Sequence, residues 1–159
     1  MNTRNQPASP TCPRPDIFRA FVNTKPFVAS RLSGLSCLRP ELSGARTHRI
    51  WKIHAEGQVA RHRTMLGLFI DQTLEPGTYD LVRNDRITVV YHRTPKQVVQ
   101  VFHSRDFQCG SVTLLEFNSD TGRLRGTFEF AMSAIGFDVS GGEFDVVCPR
   151  EEDGLVSPR

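Results

Sequence analysis

Five histidines and four cysteines are the residues of this 159-residue sequence best suited to chemistry: His48, His54, His62, His92 and His103, with Cys12, Cys37, Cys109 and Cys148. Acid–base catalysis or metal binding needs two or three such groups to converge, usually with a carboxylate. The spacing argues against convergence. Residues an even number apart share one face of a strand, so His48 and His54 lie on the same side, but at about 3.3 Å per residue they stand about 20 Å apart. His92 and His103 fall near opposite ends of a hairpin. No cysteines form a Cys-x-x-Cys pair, which removes zinc-ribbon chemistry. The one nucleophile arrangement is Cys109 activated by His103 beside Asp106. A half-buried structural thiol is the plainer account of Cys109, and a hydrolase-like enzyme using His103 and Cys109 stays as an alternative. No catalytic residue, metal ligand or cofactor is assigned.

Three other groups of residues invite a function. Ser140-Gly141-Gly142 looks like a phosphate loop, but no helix follows and no lysine stands in the usual place, so a glycine-permitted hairpin is expected. Asp138, Glu143 and Asp145 gather oxygen ligands of the kind Ca²⁺ prefers, without EF-hand spacing, and read as a solvated acidic edge. The basic stretch Arg46, Arg49, Lys52, Arg61 and Arg63 is a candidate polyanion face. Residues 1–80 carry eleven Lys and Arg against six Asp and Glu, whereas residues 81–159 carry nine against eleven. The net charge of +3 is nevertheless small, and the stretch lacks the interleaved aromatic platform of single-strand binders. Nucleic acid is therefore only an alternative partner.

These residues must be positioned by strands. Ten prolines and twelve glycines favour turns over long helices, and eleven phenylalanines fall in runs that alternate apolar with polar residues, the signature of a half-buried strand. Strands are expected at 17–22 and 26–32, joined by an Asn23-Thr24-Lys25 turn, and at 48–55 and 64–70, with Glu56-Gly57-Gln58 as the turn and Gly67 as a bulge or bend. Further strands follow at 78–82, 87–92, 97–103, 111–117 and 124–131, and a last pair, 137–139 and 143–147, closes around Gly141-Gly142. Residues 33–47 read as loop, with a short helical turn near Pro40-Glu41-Leu42. The expected fold is all-β: an antiparallel barrel or sandwich of about nine to eleven short strands in a hairpin meander. The domain spans 16–148, between a Pro-rich tail, 1–15, and an acidic tail, 149–159. Within it, Phe117, Phe128, Phe130, Phe137 and Phe144 either line a cavity for a small apolar ligand or form an ordinary core.

No run approaches the length of a membrane-spanning helix. The opening MNTRNQPASPTCPRPD has no apolar centre, so it is not a secretory signal as it stands. A cytoplasmic protein with free thiols is expected, although an unconventional export route or a misassigned start would leave no mark here.

Several landmarks together resemble a known family. The strand and turn Phe18-Arg19-Ala20-Phe21-Val22-Asn23-Thr24-Lys25, then Pro26-Phe27-Val28-Ala29, match an opening strand with an Asn-Gly-Lys type turn. Pro76-Gly77-Thr78-Tyr79 matches a mid-chain turn. Gly126-Thr127-Phe128-Glu129-Phe130 and Gly142-Glu143-Phe144-Asp145-Val146 match a Gly-x-Phe-x-Phe and Gly-x-Phe-x-Val ending. In order and spacing, over about residues 16–147, the chain is similar to a bacterial all-β domain family of unknown function, often seen in small secreted lipoproteins. Thr24 departs from the family's Gly, and no lipoprotein signal precedes Cys12. The resemblance implies a small all-β fold and no particular activity. The function expected is that of a non-enzymatic β-domain that binds a partner protein or a small apolar ligand.

Overall fold

Side chains that change sides at every residue need a sheet with one dry face, and the chain builds one. A computed structural model describes residues 15–39, 48–94 and 98–150. It contains ten strands: β1 (Ile17–Val22), β2 (Lys25–Arg39), β3 (His48–Val59), β4 (His62–Asp71), β5 (Gly77–Asp80), β6 (Ile87–Arg93), β7 (Gln100–His103), β8 (Cys109–Asn118), β9 (Arg123–Met132) and β10 (Phe137–Val147). Two single 3-10 turns, Ser104–Asp106 and Ser133–Ile135, are the only helical segments among the described residues. None is long and apolar enough to cross a membrane. The expected helical turn near Pro40, and the two tails beyond residues 15 and 150, lie outside the described residues.

All ten strands form one antiparallel sheet in the order β5-β8-β9-β10-β1-β2-β3-β4-β6-β7. It is a curled, barrel-like sheet, not a sandwich of two. Most neighbours are consecutive hairpins, as a meander requires. The exception is β5, which leaves its place between β4 and β6 and pairs with β8 at the far edge. β10 pairs with β1 and joins the two ends of the fold.

Curling brings the two halves of the inner face into ring contact. Phe18 of β1 meets Phe128 of β9 at 5.3 Å between centroids, Tyr91 of β6 meets Phe137 of β10 at 4.9 Å, and Phe107 stacks on Phe130 at 4.4 Å. Phe27, Phe137 and Phe144 are fully buried. Burial of a large apolar side chain contributes about 1.5–3 kcal/mol, and a well-placed aromatic pair about 0.5–1.5 kcal/mol more.

The endings resembling Gly-x-Phe-x-Phe and Gly-x-Phe-x-Val turn out to interlock. Gly126 of β9 stands opposite Phe144 of β10, and Gly142 of β10 stands opposite Phe128 of β9. Each phenylalanine ring lies over the other strand's glycine. A Cβ on Gly126 would sit 2.5 Å from the Phe144 ring, and one on Gly142 2.6 Å from the Phe128 ring. The glycines make room for rings that cross the strand boundary, a known way of covering bare backbone in sheets.

The structure corrects four local expectations. Residues 33–39 belong to β2, because their backbone forms a full ladder with 48–54, including Ser33–His54 and Ser36–Trp51. Ser and Gly lack bulk there without breaking the pairing. Glu56-Gly57-Gln58 lies inside β3 and pairs with 63–65; the true turn is Ala60-Arg61. Gly67 is no bulge, since the β3–β4 and β4–β6 registers run through it unbroken. Gly141-Gly142 is not a hairpin but a bulge within the single strand β10, where the register shifts between Val139 and Gly142. The extra residue is absorbed by Gly141 at φ +58°, as such bulges require.

The first turn carries strain. Asn23 and Thr24 both have positive φ, +48° and +68°, the conformation of a type I′ turn. Asn tolerates it; a β-branched residue does not. Thr24→Gly should therefore raise stability by about 1 kcal/mol, seen as a Tm increase of about 2–4 °C. A lower Tm would overturn the strain reading.

Candidate functional site

Four of the five phenylalanines considered as cavity lining sit in the packed inner face: Phe128, Phe130, Phe137 and Phe144 are each at most 3% exposed. They stack on one another and on Phe18, Tyr91 and Phe107. Phe117 instead lies at 41% exposure, against Trp51 with centroids 4.6 Å apart.

The basic stretch does not form one face. Lys52 points outward over the Phe69 ring, Arg63 pairs with Glu56 at 3.6 Å, and Arg61 is exposed at the β3–β4 turn. Arg49 is half-buried and, three residues before Lys52, lies on the opposite side of β3. Arg46 lies outside the described residues. The three carboxylates of the acidic edge have separate surroundings. Glu143 pairs with Arg19 at 2.7 Å and Asp145 with Arg123 at 2.8 Å. Asp138 is exposed, and its backbone N–H donates to Asn23 Oδ1.

The histidines show what spacing alone missed. His103 pairs with Val90 and His92 with Val101, so the two are diagonal neighbours on the outer face. His54 joins the same row through Gly67 and Val90. Partial burial, then the nearby His103 and His54, lower the His92 pKa below its ordinary value. Among the described residues, however, no three His, Cys, Asp or Glu side chains come together in a metal-holding group. No hydrogen bond or ion pair joins His103, Asp106 and Cys109 there.

Cys109 and Cys148 are free thiols; Cys12 lies outside the described residues. Burial, with Asp16 nearby, pushes the Cys148 thiol up to about 12, whereas Cys109 is exposed. Thiolate is the reactive form. In native protein at pH 8, a chromogenic disulfide reagent should titrate Cys109 quickly and reach Cys148 only on unfolding. The sign for stability follows: above pH 9 the unfolded thiol loses its proton while the folded one keeps it, so stability falls as pH rises toward 12. Native-state labelling of Cys148 as fast as Cys109 would overturn this.

A cleft lies where the sheet opens to solvent. At this end the last inward-facing rungs are Val22–Lys25, Val59–His62 and Thr64–Arg93. Cross-strand partners point to the same side, so Lys25, His62 and Arg93 all face the mouth of the curl. Below them lie Val22, Val59, Thr64 and Tyr91, and together these residues enclose a cleft of about 220 Å³. Asn23 and Ala60, the latter at φ +56°, edge it from the two turns. Tyr91 is buried, which raises its hydroxyl pKa, while Arg93 and a hydrogen bond with the Thr64 side chain act the other way. Arg93 is half-buried. Its Nε donates to Gln100 Oε1 at 2.6 Å, and its guanidinium lies 5.5 Å from the Phe102 ring centre and 5.8 Å from that of Phe137. Among the described residues no carboxylate pairs with it.

Sequence reasoning did not find this site. Lys25, His62 and Arg93 come from three strands far apart in the chain, each at a strand end, and no spacing rule links them. A larger hollow of about 800 Å³ lies between the 81–85 segment and β7, lined by Arg83, His103 and Arg105 but also by Asp85, so its charge is mixed. No family model, curated protein or solved structure matches this chain.

Proposed function

We propose that this chain is a non-enzymatic binding domain: a rigid curled sheet that offers a small-ligand site at its open end. The observation that carries the reading is Arg93, a half-buried cation held on two aromatic rings at the mouth of an apolar-floored cleft, with no carboxylate partner among the described residues. Groups held rigidly by their surroundings bind without a large ordering cost. The inner face filled with phenylalanine favours a ligand held at the rim over one carried inside. The separation of His103 from Cys109 favours binding over hydrolysis.

We hold the kinship with the bacterial all-β family as part of the same proposal. Asn23-Thr24 stands at a tight turn, Pro76-Gly77 at the entrance to β5, and the two Gly-x-Phe motifs on adjacent strands. An amide NMR titration of the full chain with a panel of small neutral, anionic and cationic compounds tests the binding reading. Saturable shifts clustered on Val22, Thr64 and Tyr91 are expected; a panel that moves no amide overturns it.

A further inference from the structure

We propose that the Arg93 cleft takes a small organic carboxylate with an apolar body, an inference that rests on reading the chain as a binding domain. Arginine presents its donors as a planar fork, and carboxylates fit that fork with two parallel hydrogen bonds. Here the Nε donor is already engaged by Gln100. The terminal nitrogens are left to meet an acceptor with two oxygens in one plane. Phe102 and Phe137 lie against the guanidinium and restrict how it can turn.

The surrounding charge has one sign. Lys25 and His62 flank the mouth, and among the described residues no acidic side chain lines the cleft. Asp138, which hydrogen-bonds with Asn23 at the edge of the cleft, is exposed while its neighbour Phe137 on β10 is buried, so the Asp138 side chain takes the outer face. The floor is apolar at Val22, Val59 and the Tyr91 ring, and its Thr64 hydroxyl already donates to the His62 carbonyl at 3.3 Å. A ligand therefore meets polar donors at one end and hydrocarbon at the other. The volume of about 220 Å³ lies below the range of about 300–1,000 Å³ usual for drug-sized ligands, which limits the ligand to a compact molecule. Phosphate fits less well. The cleft has one fork and two rim cations, and none of the described residues lining it is a glycine, whereas phosphate sites draw on nests of backbone N–H groups.

The test is an amide NMR titration of the full chain at constant salt, with benzoate as probe and benzyl alcohol and inorganic phosphate as comparators. Benzoate is expected to move the Val22, Ala60, Thr64 and Tyr91 amides saturably, and more tightly than either comparator. Arg93→Gln should weaken benzoate by about tenfold or more, since a charged hydrogen-bonding partner is lost, and Arg93→Lys should restore only part of the affinity. His92→Ala, on the outer face, should change nothing. Should Arg93→Gln fail to fold, a Lys25→Ala/His62→Ala variant takes its place, with binding several-fold weaker. Equal benzoate affinity in wild type and these variants overturns the inference, as does tighter binding of phosphate. Benzyl alcohol binding in the cleft where benzoate does not would overturn it while leaving the binding reading intact. Silence of every compound would overturn both.

Discussion

Phe144→Ala is expected to lower stability by about 3–5 kcal/mol, the range for removing a large buried aromatic from a packed core. Phe144 is fully buried, and its ring covers Gly126 on the next strand while stacking near Phe128. The complementary substitution, Gly126→Ala, should cost about 1–3 kcal/mol by overpacking, because the new Cβ would meet both the Phe144 ring and the Thr113 carbonyl at 2.5 Å. The two sites share one space, so the double variant should be less destabilised than the sum of the singles, by about 0.5–3 kcal/mol of coupling. Urea denaturation of the four proteins measures this. Additive losses would remove the claim that the two Gly-x-Phe segments interlock.

Asp145→Ala should be nearly as severe, at about 3 kcal/mol, because it takes from a buried guanidinium the carboxylate that lies closest to it among the described residues. Arg123 and Asp145 side chains are each only 11% exposed and meet at 2.8 Å. Asp16 lies 3.6 Å from the same guanidinium and keeps the expected loss at the low end of the range for broken buried pairs. Replacing both partners with apolar residues, Arg123→Met with Asp145→Leu, should recover most of the stability, since a buried pair and a hydrophobic contact of similar size are often equivalent. The measurement is again the urea midpoint. A loss under about 1 kcal/mol for Asp145→Ala would mean the pair behaves as an exposed one.

Alternation made most of this architecture legible. The runs around Phe18, Ile53 and Phe128 could be assigned to strands because their inward and outward positions mostly differ in chemistry, and those around Leu68 and Val89 because they are short, apolar and rich in strand-forming residues. The residues that misled are small or permissive. Ser33, Gly34 and Ser36 continue a ladder without showing an apolar face. Gly141 and Gly142 mark a turn and a bulge equally well in sequence, and only the pairing of Gly142 with Phe128 distinguishes them. The site was harder to see for a different reason. Lys25, His62 and Arg93 become neighbours only through the registers of three separate strand pairs, and each looks like an ordinary strand-end charge when read alone. His92 and His103 likewise become neighbours through the Val90–His103 register, which hydrophobic pattern does not specify.

The pairing of β1 with β10 also sets a timetable. Translation delivers the first strand of the fold more than a hundred residues before its neighbour, so β1 has only its hairpin with β2 until β10 has been made. Closure of that seam is among the longest-range events available to the chain, and such contacts slow folding. A ribosome-bound chain truncated before Phe137 should leave the inner faces of β1 and β9 unsealed and open to proteases or chaperones, with protection arriving only when the last strand emerges.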